Sequence, residues 1–328
     1  MFKQIVVATD IVSTPDAPVL SAIALARQKG SRLFLLHVME SASTENRRQV
    51  RHFMTGVELE ADPAYEAEVS QAIEKTYAEP LTGIEHEIGV TAGFPWEMIL
   101  YTAKTVQADL IVLGPHSSRA EEKGVVRTAG RVGSTVENVI TRETCPVMVV
   151  NRPAAAEQLA FRQILVPIDF SRACECAICF AARLAAVHDS QMVIMHMLPV
   201  PPYPKYTHAD YTTDAESAQK RLEALAKPYL DGIAHQYRVC AGAMPHIEIL
   251  KCAAESGIDL IVMGSHTKEA AGKWYPGSVV ERVGYRAACP VMVVNDPDVL
   301  VGWEGANVYP NDADGDRLIH LFTGRVAR

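Results

Sequence analysis

"IDLIVMGSHTKEAAGKWYPGSVVERV" (258–283) is an apolar run closed by Gly264, a polar loop, and a Gly277-Ser278 pair that opens a helix-like pattern. A run with no polar alternation is a strand covered on both faces, and strands of that kind belong to parallel sheets joined by helices. The two glycines admit two explanations. One is a turn that needs unusual dihedral angles; the other is a ligand that must touch bare backbone.

The same organisation occurs earlier in the chain. "MPHIEILKCAAESGIDLIVMG" (244–264) matches "FPWEMILYTAKTVQADLIVLG" (94–114), and "GSVVERVGYRAACPVMVVN" (277–295) matches "GSTVENVITRETCPVMVVN" (133–151). Upstream, "FRQILVPIDF" (161–170) matches "FKQIVVATDI" (2–11), and "MVIMHMLP" (192–199) matches "LFLLHVME" (33–40). The offset falls from 159 (161 against 2) to 150 (244 against 94) and 144 (277 against 133), with order kept. This is a tandem duplication with two insertions in the first copy, and a period this long means repeated domains, not a solenoid. The expected layout is a domain over 1–151, a linker over 152–160, a second domain over 161–295 and a tail over 296–328.

Within each copy, short apolar runs alternate with amphipathic stretches such as 15–29 and 172–188. Val6-Val7, Leu35-Leu36, Ile111-Val112 and Val147 through Val150 read as buried strands. "STPD" (13–16) reads as a helix start, Ser or Thr ahead of Pro at the first helical position. This rhythm predicts an α/β fold, with two open and mostly parallel sheets carrying helices on both faces.

Composition narrows the functional classes. The chain has 328 residues, 48% hydrophobic and 21% charged, and its formal charge of −8 comes without a basic block. The electrostatic footprint of a nucleic-acid binder is missing. Apolar runs fall short of the ~18–20 residues of a membrane helix, and "MFKQIVVATD" is not a signal peptide, so a cytoplasmic location is expected. Seven cysteines in a chain of this length read as reduced thiols.

In open parallel sheets, ligands sit beyond the carboxyl ends of strands where strand order reverses. The first strand delivers Asp10 or Asp169 there, the second Val38 or Met197, and the fourth Gly114 or Gly264 with its loop. Gly264 and Gly277 would bring amides close to an anion, and Ser278 opens a helix whose free N–H groups favour negative charge. No G-x4-G-K-[ST] loop occurs, so no lysine is pre-placed at a β/γ-phosphate.

Both copies resemble the universal stress protein domain, whose nucleotide-binding members carry G-x2-G-x9-G-[ST] after the fourth strand. The second copy keeps that spacing, with Gly264, Thr267 at the middle-glycine position, and Gly277-Ser278. "DLIVMGSH" and "CPVMVV" are similar to the family's wording. The resemblance implies five-stranded parallel sheets in order 3-2-1-4-5 and a bound ATP or related nucleotide, with Mg as its companion ion. It puts Asp169 at the adenosine end and Met197 beside the base. Gly264, Ser265, His266, Gly277, Ser278 and Val279 would lie along the phosphates, with Thr267 among them. The first copy's counterparts are Asp10, Val38, Gly114, Gly133, Ser134 and Thr135. There Ser117 holds the middle-glycine position and the loop is six residues longer, so the second copy is the preferred site.

The leading expectation is a tandem, regulatory nucleotide binder in stress response. Its rivals are a ligand-free interaction module and a slow hydrolase that positions one water on a metal-nucleotide. Plainer readings stand beside the site residues. The Gly-Ser pairs could be turns and caps, Asp10 and Asp169 could cap helices, and His37 and His196 read as satisfied core histidines. His116 and His266 are candidates for phosphate contact or for exposed loop positions. "CECAIC" (174–179) reads as buried small side chains on a helix, "NDADGD" (311–316) as a polar turn, and "PVPPYPKYTHADY" (199–211) as a surface loop. Two homologous domains can pack about a pseudo-two-fold, and the resemblance implies that their "PVMVVN" strands make the contact. Pairing of two chains into a homodimer stays open.

Overall fold

The computed structural model describes residues 2–10, 14–41, 48–53, 55–115, 132–152, 159–199, 206–265 and 278–295. The first half runs β1 (Gln4–Thr9), α1 (Ala17–Lys29), β2 (Arg32–Glu40), β3 (Gln49–Arg51), β4 (Glu58–Glu60), α2 (Pro63–Tyr77), β5 (His86–Gly93), α3 (Pro95–Thr105), β6 (Leu110–Leu113), α4 (Ser134–Ile140) and β7 (Val147–Val149). The second runs β8 (Gln163–Ile168), α5 (Arg172–His188), β9 (Gln191–Pro199), α6 (His208–Ala226), β10 (His235–Gly242), α7 (Pro245–Glu255), β11 (Leu260–Ser265), α8 (Ser278–Arg286) and β12 (Val291–Asn295).

The long strands join into one ten-stranded sheet, ordered β10-β9-β8-β11-β12-β7-β6-β1-β2-β5. Within each half the ladders are parallel, and the order is third, second, first, fourth, fifth strand, leaving the small β3–β4 hairpin aside. Helices cover both faces. Ile5 and Val7 pack in a cluster with side chains of α1, α2, α5 and α6, while Val6 packs with those of α3, α4, α7 and α8. Ile5, Val6 and Val7 are all wholly buried, the reason these strands carry no polar alternation.

The halves meet where β7 and β12 pair antiparallel, Val147 opposite Val293, Met148 opposite Met292 and Val149 opposite Val291. Met148 and Met292 are equivalent in the repeat, so a pseudo-two-fold passes between them, perpendicular to the sheet. Asn151 Nδ2 donates to the Tyr285 carbonyl at 2.5 Å. Its counterpart Asn295 donates to the carbonyls of Ile140 and, at 2.8 Å, Glu143. Each half thus ends on an asparagine that satisfies the last carbonyls of a helix in the other. Lys29 and His188, equivalent at the ends of α1 and α5, also meet across the axis, 3.3 Å apart.

Two expectations need correction, and one element was not anticipated. Helix α1 starts at Ala17 with Asp16 as its N-cap, its carboxylate accepting from the Val19 amide at 3.0 Å. The cap is therefore the aspartate after Pro15, not a Ser or Thr before it. The first insertion is not a plain loop, because the β3–β4 hairpin lies in it. The tail of "PVPPYPKYTHADY" is helix: Thr207 and Asp210 form a reciprocal capping box that starts α6 at His208. Residues 200–205, and the linker residues 153–158, lie outside the described ones, as do the "NDADGD" turn and the whole tail.

Candidate functional site

The strand-order reversal, where a ligand is expected, falls between β8 and β11 in the second half, and between β1 and β6 in the first. β8 and β11 are bridged at Ile164–Leu260 and Leu165–Ile261, with no further pair toward the carboxyl edge. Pro167, beyond the last bridge, has no N–H to extend that ladder. The strands are free to part where a ligand would enter.

Asp169 follows β8 and is exposed; its Oδ1 accepts from the Ser171 amide at 3.0 Å and the Cys174 thiol at 2.9 Å. It therefore fixes the turn into α5 as well as facing the edge. Burial, with Asp169 beside it, pushes the Cys174 thiol up to about 12, so this cysteine is no thiolate. Met197 is half-buried in β9, opposite Cys240. Val38, its counterpart in β2, is buried opposite Thr91. His37 is buried and His196 half-buried, Nδ1 lying 2.9 Å from the Thr9 carbonyl and 2.7 Å from that of Ile168.

Gly264 has a packing reason of its own. A Cβ built there would lie 2.2 Å from the Ala173 carbonyl oxygen, because the first turn of α5 rests on the end of β11. The missing side chain lets helix and strand touch, whatever else the loop does. Ser265 closes β11 opposite Asn295. Ile261 and Met263 belong to the core shared with α7 and α8, so strand alternation turns Ser265 to that same face. Its residue is 1% exposed and Ser265 Oγ has no hydrogen-bond partner, whereas Ser171 at the start of α5 lies beside the Cys174 thiol. His266, Thr267 and Gly277 lie outside the described residues, as do His116 and Ser117; Ser278 opens α8 and Val279 packs half-buried beside it.

The first half differs in its chemistry. Asp10 follows β1 and Gly114 follows β6, but Pro115 stands where the second half has Ser265 and carries no N–H. The Pro115 carbonyl accepts the Gly133 amide at 2.7 Å, so this N–H is spent inside the chain. Gly133 is the N-cap of α4, with Ser134 exposed and Thr135 half-buried in the first turn. Beneath Asp10 lies a buried polar group: Thr9 Oγ1 donates to Asp16 Oδ2 at 2.6 Å, and the Asp16 amide donates to the Tyr77 hydroxyl at 3.1 Å.

Several residues at the second edge were not singled out by sequence reasoning. Phe170 adopts a left-handed φ of 65°, its ring 4.4 Å from that of His196 and 4.0 Å from the Arg221 guanidinium. Nothing in the pattern of a phenylalanine announces such a backbone. Ser171 carried a signal, since it directly precedes an amphipathic stretch. Among the described residues, no group of three or more His, Cys, Asp or Glu side chains is arranged to hold a metal ion. None of the described helices is long and apolar enough to cross a membrane.

These features define a doubled, doubly wound α/β protein with one strand-order reversal in each half. A model of the universal stress protein family matches residues 1–151 and 160–295, and the chain belongs to that family as a tandem member. A universal stress protein of Synechocystis is 33% identical over 138 residues, covering 42% of this chain and 87% of its own length. One from Methanocaldococcus jannaschii is 25% identical over 153 residues, covering 41% and 94%. Each of these relatives has the length of one half. The crystal structure of a universal stress protein from Archaeoglobus fulgidus overlaps 89% of this chain and 98% of its own, with a TM-score of 0.57 at 21% identity. That likeness extends the shared fold to both halves.

Proposed function

We propose that the second half binds ATP or a related nucleotide at the β8/β11 edge, and that the protein acts by binding instead of turnover in a regulatory, stress-linked role. The domains are those expected from the repeat, 1–151 and 161–295, working in the cytoplasm. The observation that carries this reading is the buried hydroxyl of Ser265, left without a hydrogen-bond partner at the end of β11, where the ladder to β8 has stopped. A buried hydroxyl without a partner costs free energy in the empty protein, and a bound polar guest removes that cost. The spacing from Gly264 through Thr267 to Gly277-Ser278 supports a phosphate as that guest, with Asp169 and Met197 toward the nucleoside and Val279 behind the helix start. Mg would travel with the nucleotide. In the first half, Asp10, Val38, Gly114, Gly133, Ser134 and Thr135 line the equivalent edge. The spent Gly133 amide and Pro115 favour a second reading there, a scaffold that needs no ligand.

Mass spectrometry of protein purified without added nucleotide, with calorimetry for ATP, tests the proposal. Co-purified nucleotide or a saturable heat supports it; neither supports the interaction module. Ser265→Ala gives a sharper check than a change at Gly264, where Ala173 would clash in any state. It should leave the empty protein as stable or more so, and weaken ATP by about 5–10-fold, one hydrogen bond's worth. Equal affinity in the variant would remove Ser265 from the site.

A further inference from the structure

We propose that Arg282 reads phosphate charge at the second-half site, making it selective for nucleoside di- and triphosphates over monophosphates. The inference rests on the nucleotide reading above and adds the residue that sets its charge preference.

Arg282 stands four residues after Ser278 on α8, one turn below the helix start and on the same stripe. Helical side chains lean toward the N-terminus and cover the turn before their own Cα, which for Arg282 is the turn that Ser278 opens. It is half-buried and, among the described residues, makes no ion pair or hydrogen bond. Arg286, one turn further down, makes none either. Both bear on buried His246 of α7, whose ring is pushed down by burial first and by the two arginines next. The second half has therefore added one cation, Arg282, a turn below the helix start, in a chain of net charge −8, while Arg286 at the end of α8 has Arg142 as its counterpart. Ser265, unpartnered and buried, is turned to this same face of the sheet.

The repeat supplies an internal comparison. Arg282 corresponds to Asn138, which donates to the Ser134 carbonyl at 2.8 Å, and His246 corresponds to Trp96, which lies 4.8 Å from the Arg142 guanidinium. Arg142 in turn donates to the Asn138 side chain at 2.6 Å. In the first half these groups contact one another. In the second, Arg282 and Arg286 are cationic without a hydrogen-bond partner among the described residues, beside a helix start without the lysine a P-loop would provide. A guanidinium suits this task because its fork meets two phosphate oxygens at once.

Calorimetry with ATP, ADP and AMP on the full chain tests the assignment, comparing wild type with Arg282→Gln, Arg282→Lys and Arg286→Gln. Arg282→Gln should lose about 10-fold or more for ATP and less than about 2-fold for AMP, the cost of a charge-assisted contact made only by outer phosphates. Arg282→Lys should recover part of that loss, and Arg286→Gln should leave the ATP-to-AMP ratio unchanged. Equal losses for ATP and AMP, or no loss, overturn the role of Arg282 and leave the nucleotide reading standing. A wild type that binds none of the three overturns both.

Discussion

Asp16 accepts hydrogen bonds from the Val19 amide and the Thr9 hydroxyl, and both favour its ionised form. Burial works against them and, with Asp10 nearby adding repulsion, raises its pKa to about 6 from 3.8. The folded protein therefore holds this proton more tightly than the unfolded chain. Stability is greatest below about pH 4 as far as this group goes, and falls as pH rises from there through about 6. A shift of two units corresponds to at most about 3 kcal/mol. Asp16→Asn keeps an N-cap of similar quality and removes the charge. It should raise the melting temperature at pH 7 and flatten the stability profile between pH 4 and 6. Thermal unfolding across that range checks this, and an unchanged slope would mean that Asp16 is not the titrating group. Sequence alone could not reach this point. An aspartate before a helix is readable, but Thr9 and Tyr77, 7 and 61 residues away, are what bury it.

Elements were more legible than contacts. The unbroken apolar runs announced β1, β2, β6 and β11 because burial on both faces leaves its mark on every residue. Repetition then separated helices from strands without any appeal to propensity. The β3–β4 hairpin escaped because its strands are three residues each and half polar. The role of Gly264 escaped because its partner, Ala173, lies on a helix 91 residues earlier in the chain. Duplication also offers controls at this scale. Helix α1 ends in Gly30 at φ 67°, and α5 ends at the equivalent Asp189 in the same left-handed region, at φ 52°. An aspartate there meets both the Cβ penalty and the negative end of the helix dipole. Asp189→Gly should stabilise the protein by about 1 kcal/mol. Chemical denaturation would register the gain, and a loss would show that the Asp189 side chain holds the chain in a way its φ does not reveal.

At the scale of the molecule, the antiparallel seam decides how the two strand-order reversals relate. The strands of one half run opposite to those of the other, so the edges carrying Asp10 and Asp169 lie on opposite rims of a single sheet. A ligand on one rim can influence the other only through the packed middle. That middle is continuous: Met148 and Met292, wholly buried and facing each other, belong to one core that reaches from Tyr77 to Leu222. Met292→Ala should cost about 2–5 kcal/mol, as truncation of a buried methionine does. Because the cavity opens on the pseudo-axis, the loss should be felt in both halves. Met195→Ala removes a methionine just as buried, from β9 in the second half, and serves as the comparison. Hydrogen exchange should then show amides of β6 and β7 opening faster in Met292→Ala but not in Met195→Ala, since cooperative units loosen together. If exchange in Met292→Ala quickened only within 161–295, the seam would be a contact between independent bodies, and no signal could pass from one rim to the other through it.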